Sequence, residues 1–178
     1  MKRLFFALWP DESVREHCTG LINKLDLLVI KPINAGNLHV TLCFLGSVNS
    51  DCEKALTAAA SEIVMEPVRL TFDQLSFWKA PKVLCLTSSL GDLGAARLAG
   101  ELCVVARSLG IRLDERPYLP HVTLARGVKN KVEIAFEPVV WAAHSFCLVQ
   151  SCSTDSGVEY RVLRCWSAHP DFSLLSLA

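Results

Sequence analysis

The string His-Val-Thr-Leu occurs twice, at residues 39–42 and 121–124, the copies lying 82 residues apart. Along a β-strand, side chains at i and i+2 leave the same face. Each copy therefore directs one imidazole and one hydroxyl to one side, while Val and Leu go to the other. Two such strands facing each other gather His39, Thr41, His121 and Thr123 around one spot. Histidine is the side chain whose ordinary pKa allows both giving and taking a proton near neutrality, and a hydroxyl can donate to an oxyanion. These four residues suffice for acid/base chemistry on a phosphate without a metal.

A single His in an apolar strand is more often a hydrogen-bonded structural residue than a catalyst. Doubling changes the odds, because chance recurrence of a four-residue string in a chain this short is improbable and His is not a preferred strand residue. A catalytic zinc normally takes three protein ligands. Neither motif has a neighbouring His, Cys or carboxylate at chelating spacing, so no metal and no cofactor is expected. Each Thr lies about 7 Å along the strand from its own His. That suits donation to a phosphate oxygen better than nucleophilic attack.

The elements that must position these strands can be read from periodicity. Arg3–Trp9 forms a buried strand, and Pro10-Asp11 opens a helix with Val14, Cys18, Leu21, Ile22 and Leu25 at helical spacing and a Ser13/Glu16 capping box. A second helix runs over 51–64, capped by Asn49 or Ser50. Strand-like runs follow at 68–78 and 83–87, then a helix over 93–109 stopped by Gly110. After the second motif come strands at 145–151 and 158–166, with 154–157 as the hairpin turn. The order β-α-β-α-β-β-α-β-β-β predicts an α+β fold with mainly antiparallel sheets. At 178 residues one domain is expected, with any two lobes sharing strands because no low-complexity linker separates them.

Composition limits the partners. Lys plus Arg and Asp plus Glu each total 18, so the net charge is zero. A protein that coats long nucleic acid usually carries a basic excess. If the partner is RNA, an end or a short piece fits better than a long duplex. The eight cysteines include no C-x-x-C pair, and several sit in apolar runs where a free thiol acts as a small hydrophobe. With no stretch long enough to span a membrane, a reducing cytoplasm is the expected compartment.

Several segments resemble one family: Arg3-Leu-Phe-Phe-Ala-Leu8, Asn37-Leu-His-Val-Thr-Leu42 with Phe44-Leu-Gly46, 77–84, 116–126 and Tyr160-Arg-Val-Leu-Arg-Cys-Trp166. Paired His-x-Thr motifs mark the 2H phosphoesterase superfamily. The flanks are similar to the bacterial and archaeal RNA 2′,3′-cyclic phosphodiesterases, historically named 2′-5′ RNA ligases. The resemblance implies a bilobal, pseudo-twofold arrangement of two mainly antiparallel sheets flanked by helices. The cleft lies between intertwined lobes of a single 1–178 domain. It also implies metal-independent hydrolysis of a terminal 2′,3′-cyclic phosphate to a 2′-phosphomonoester, with reverse 2′-5′ ligation as a side capacity. By the same resemblance His39 and His121 become the acid/base pair, Thr41 and Thr123 hold the phosphate, and Arg126 matches the family's arginine after the second motif. We assign His39 as proton donor and His121 as proton acceptor, roles that a near-symmetric site can exchange with substrate orientation. Two departures are Leu119, where relatives often carry a polar residue, and Cys85, where many have Trp.

Among the aromatics, Tyr118 and Trp78 are the candidates for stacking on a base, while Phe5 and Phe44 read as core. Arg112, Arg116, Lys129 and Lys131 are diluted by Asp114, Glu115 and Glu133 and read as a solvated face. His17, His144 and His169 lack a partner Thr and read as ordinary residues. The expected partners are RNA ends or nucleotides bearing a 2′,3′-cyclic phosphate, acted on by a monomer. The alternatives are a phosphodiesterase for small cyclic nucleotides or cyclic ADP-ribose phosphate, or a silent nucleotide-binding module.

Overall fold

In the computed structural model, which describes residues 1–25, 30–155 and 157–168, the two motif strands meet at the middle of one sheet. The elements are β1 (Lys2–Leu8), α1 (Glu12–Ile22), β2 (Lys31–Pro32), a 3-10 turn (Ala35–Asn37), β3 (Val40–Val48), α2 (Ser50–Ala60), β4 (Val68–Phe72), β5 (Gln74–Trp78), β6 (Val83–Thr87), α3 (Leu93–Ser108), β7 (His121–Arg126), β8 (Val139–Ala143), β9 (Ser145–Thr154) and β10 (Gly157–Ser167). All pairings are antiparallel. The large sheet runs β10-β9-β1-β3-β7-β6-β5 with β2 also on β7, and β4 and β8 form a second, two-stranded sheet. Among the described residues the fold is α+β with two antiparallel sheets and three α-helices.

A repeat is visible in the topology. β1-α1-β3 and β6-α3-β7 are each an antiparallel strand pair joined through a helix, and β3 and β7 meet at the single pair Val40–Val122. The helices cross over: α1, which follows β1, lies against β7 and β8, while α3 lies against β3 and β4. Leu4, Phe6, Leu8, Val40, Leu42, Val122 and Leu124 face these helices and form the main core with Leu98, Leu102 and Trp141. Alternation sends Phe5, Ala7, His39, Thr41, His121 and Thr123 to the opposite, histidine face.

Local chemistry sets the helix ends. Asp11, not Ser13, caps α1 by accepting from Val14 N–H, and Asn49 caps α2 at 2.8 Å from Cys52 N. Asp11 is the residue immediately before the first turn, the position from which a carboxylate reaches a free N–H. Gly110, with φ +79°, ends α3 while Ile111 N–H returns to Ala106 O at 3.1 Å.

Three expectations are corrected. The run 68–78 is two strands in different sheets, broken at Asp73, whose carboxylate accepts from Ser89 N–H and hydroxyl. β8 is an additional strand. Cys147 and Cys165 are disulfide-bonded across β9 and β10, so the cysteines are not all free; the register places them directly opposite each other. Among the described residues no helix is long and apolar enough to cross a membrane.

Candidate active site

The Val40–Val122 pair fixes the relation of the two motifs. In an antiparallel pair, stepping one residue back on β3 means one forward on β7. His39 thus lies on the side of Thr123 and Thr41 on the side of His121, all four projecting away from the helices. Each of the four is half-buried.

The imidazoles are held alike at one nitrogen and differently at the other. His39 Nδ1 is 2.7 Å from Asn37 O, and His121 Nδ1 is 2.8 Å from Leu119 O. A carbonyl oxygen only accepts, so both Nδ1 atoms carry hydrogen and both Nε2 lone pairs are available. His39 Nε2 lies 3.0 Å from Thr41 Oγ1, whose hydroxyl donates to it. His121 Nε2 has no hydrogen-bond partner among the described residues.

Burial lowers both histidine pKa values. His39 falls from 6.5 to about 4, chiefly by desolvation, with the charges of His121 and Arg126 adding to it and the Asn37 carbonyl opposing. His121 is lowered by burial, assisted by the Arg116 charge and opposed by the Leu119 carbonyl. The free protein therefore holds both rings neutral at pH 7. Arg126 stands exposed at the end of β7, paired in register with Val83 and Lys31.

The aromatic surroundings differ from expectation. Trp78 lies beside His121, ring centroids 4.6 Å apart. Tyr118 does not line the site. It packs against the main core, its hydroxyl buried without a hydrogen-bond partner among the described residues, and burial and the charges of Asp92 and Cys103 push its pKa up. Its nearness in sequence to His121 is undone at Leu119-Pro120, where the chain turns into the strand. His39 instead sits among Phe5 (5.0 Å), Tyr160 (5.0 Å, edge-on) and Trp9 (6.0 Å, stacked). Tyr160 and Trp9 are not among the aromatics the sequence singles out for the site. Phe5 is buried as expected, but Phe44 is 45% exposed on the histidine face, with the Arg3 guanidinium 4.9 Å over its ring.

Other groups near the motifs are quiet. Cys85 Sγ is 3.7 Å from Thr123 Oγ1, and burial pushes its thiol up to about 11, so it stays protonated. Thr87, opposite His121 in register, is tied to Ser76 at 2.7 Å. Arg116 pairs with Asp114 and Lys131 with Glu133 on the exposed surface, in keeping with a solvated face. His17 and His144 are exposed, and His169 lies outside the described residues. No group of three His, Cys, Asp or Glu among the described residues could hold a metal ion.

Fold and paired strands together define a phosphoesterase class. The family described as LigT like phosphoesterase matches residues 8–85, and the chain belongs to that family. The RNA 2′,3′-cyclic phosphodiesterase of Escherichia coli (strain K12) is 31% identical, over 93% of this chain and 96% of the relative. The enzyme of the same name from Archaeoglobus fulgidus is 28% identical, over 91% and 98%. The crystal structure of E. coli LigT complexed with 3′-AMP matches with a TM-score of 0.86 at 31% identity, covering 94% of this chain and 98% of that one.

Proposed function

We propose that this chain hydrolyses the terminal 2′,3′-cyclic phosphate of RNA to a 2′-phosphomonoester, without metal, and has reverse 2′-5′ ligation as a minor capacity of the same chemistry. The observation that carries the reading is the Val40–Val122 pair, which turns two His-x-Thr motifs toward one another on one sheet face. The names of the relatives support the substrate class.

His121 is the proton acceptor: its open Nε2 lone pair takes a proton from water, and the water oxygen attacks phosphorus. His39 is the proton donor: as the P–O3′ bond breaks, its Nε2–H passes to the 3′ oxygen, leaving the phosphate on O2′. Thr41, Thr123 and Arg126 donate to the non-bridging oxygens as charge develops there. His39 is neutral in the free protein and must gain its proton with the substrate. The cyclic phosphate anion supplies the opposite charge that favours imidazolium. Once Nε2 is protonated, the Thr41 hydroxyl can no longer donate to it and turns its hydrogen to the phosphate. Binding and protonation are thus one event. Trp78 and the exposed Phe44 offer ring faces to a base.

Both motifs come from one chain, which supports a monomeric, single-domain enzyme of two intertwined lobes. Six free cysteines support work in the cytoplasm, among them Cys43 and Cys103, which are not disulfide-bonded although the Cys103 thiol donates to Cys43 Sγ at 3.1 Å. The Cys147–Cys165 bond pulls the other way.

The deciding experiment incubates the protein, with and without EDTA, with an oligonucleotide ending in 2′,3′-cyclic phosphate and separately with cyclic mononucleotides. A 2′-phosphate product that survives EDTA is expected. Turnover only of mononucleotides would move the substrate to small cyclic nucleotides. Loss on chelation with recovery on zinc would overturn the metal-free mechanism.

A further inference from the structure

β10 is the edge strand of the large sheet, and an edge strand leaves a row of N–H and C=O groups unpaired. Two of them are not left so. Asn37 Nδ2 donates to Val158 O at 2.7 Å, and Tyr160 N–H donates to Asn37 Oδ1 at 3.0 Å. The side-chain amide thus serves β10 as a one-residue substitute for a neighbouring strand. Asn37 precedes β3, and β1 and β9 stand between β3 and β10 in the sheet, so the 3-10 turn carries this amide across both. The main-chain carbonyl of the same residue accepts from His39 Nδ1 at 2.7 Å, and its N–H donates to Asn34 O at 2.8 Å.

We infer that Asn37 is a positioning residue for His39, anchoring to the edge strand the carbonyl that selects the Nδ1–H tautomer and aims Nε2 at the phosphate. The inference rests on the proposed reaction for its kinetic consequence, but not for its structural one. With the amide bound at both ends, the turn cannot swing, and Tyr160 is held with its ring edge-on to the imidazole. The second motif has no such device. Leu119, which offers the equivalent carbonyl, has an apolar side chain 48% exposed.

Two readouts on Asn37→Ala and Asn37→Asp test this. The first is imidazole nitrogen NMR of the free protein. The wild type should show His39 with hydrogen on Nδ1 and titrating near 4. Asn37→Ala should show mixed tautomers and a displaced titration, upward where the ring leaves its buried position and downward where the ring stays buried and only the bond to the Asn37 carbonyl is lost. His121 should be unchanged. The second is kinetics on the cyclic-phosphate oligonucleotide, where kcat should fall by about 10²-fold, the scale of a misplaced catalytic group, with KM little altered. Asn37→Asp keeps the acceptor for Tyr160 N–H and loses the donor to Val158 O, so its kcat should lie between. It also carries the test if the alanine variant does not fold. An unchanged tautomer and titration of His39 in a folded variant would overturn the inference. If the wild type hydrolyses no cyclic phosphate while Asn37→Ala still disturbs His39, the positioning role stands and the substrate assignment falls.

Discussion

The two halves of the site repeat one motif and treat its histidine in opposite ways. In the first half His39 is packed among three aromatic rings, has both ring nitrogens engaged, and is held by a turn tied to a distant strand. In the second half, among the described residues, His121 meets one ring, Trp78, and keeps Nε2 unpartnered. A proton acceptor needs an open lone pair and little else. A proton donor that is neutral when free needs its proton delivered at the right moment, and coupling through Thr41 to the arriving phosphate provides that. Near-identical tetrapeptides are thus made unequal by what surrounds them.

The largest effects should come from removing the histidines. His39→Ala and His121→Ala are each expected to lower kcat by about 10²–10⁴ on the natural leaving group. The comparison sharpens with a cyclic substrate whose 3′ bridging oxygen is sulfur, since a thiolate leaves without a proton donor. His39→Ala should then recover most activity and His121→Ala almost none; the reverse pattern would exchange the roles. Next in size are the threonines. Thr123→Val should cost up to about 10²–10³ in kcat as a lost oxyanion donor, whereas Thr41→Val should in addition move the His39 titration.

Stability should follow His39 as well. Its pKa is depressed on folding from 6.5 to about 4, so the folded state disfavours the proton. The contribution is fully present above pH 6.5 and is lost as pH falls toward 4. Integrated over that window it is roughly 3 kcal/mol. Denaturant unfolding from pH 7 to 4 should show this slope in the wild type and a shallower one in His39→Gln; parallel slopes would remove His39 as the source. The smallest effect belongs to Leu119→Ala, where stability should change by no more than about 0.5 kcal/mol and kcat should barely move. A loss there equal to that of Asn37→Ala would erase the asymmetry.

The sequence made the motif strands legible because alternation with period two is a local property. His39 and Thr41 could be placed on one face, opposite Val40 and Leu42, without knowing any partner. The helices were legible for the same reason, at period 3.6. What stayed hidden was long-range. Tyr160 reaches His39 from 121 residues away, and the Asn37 amide binds main-chain atoms that no side-chain pattern reports. Tyr118 shows the converse error, since three residues of separation from His121 did not keep it on the same face. β8 was missed because Val139-Val-Trp-Ala-Ala143 is short and alanine is a poor strand marker. The run 68–78 looked continuous because Asp73 breaks it through contacts with Ser89, sixteen positions on.

The crossed helices have a consequence for how this chain could be taken apart. Because α1 lies on β7 and β8 while α3 lies on β3 and β4, each half of the repeat wears a roof supplied by the other. A backbone nick in the exposed turn at Ser61-Glu62, between the two halves, would leave neither fragment with its motif strand covered, yet would sever none of the pairings that assemble the whole. Such fragments should be unfolded apart and should complement one another when mixed, as an exchange of roofs between two copies of an ancestral half would require.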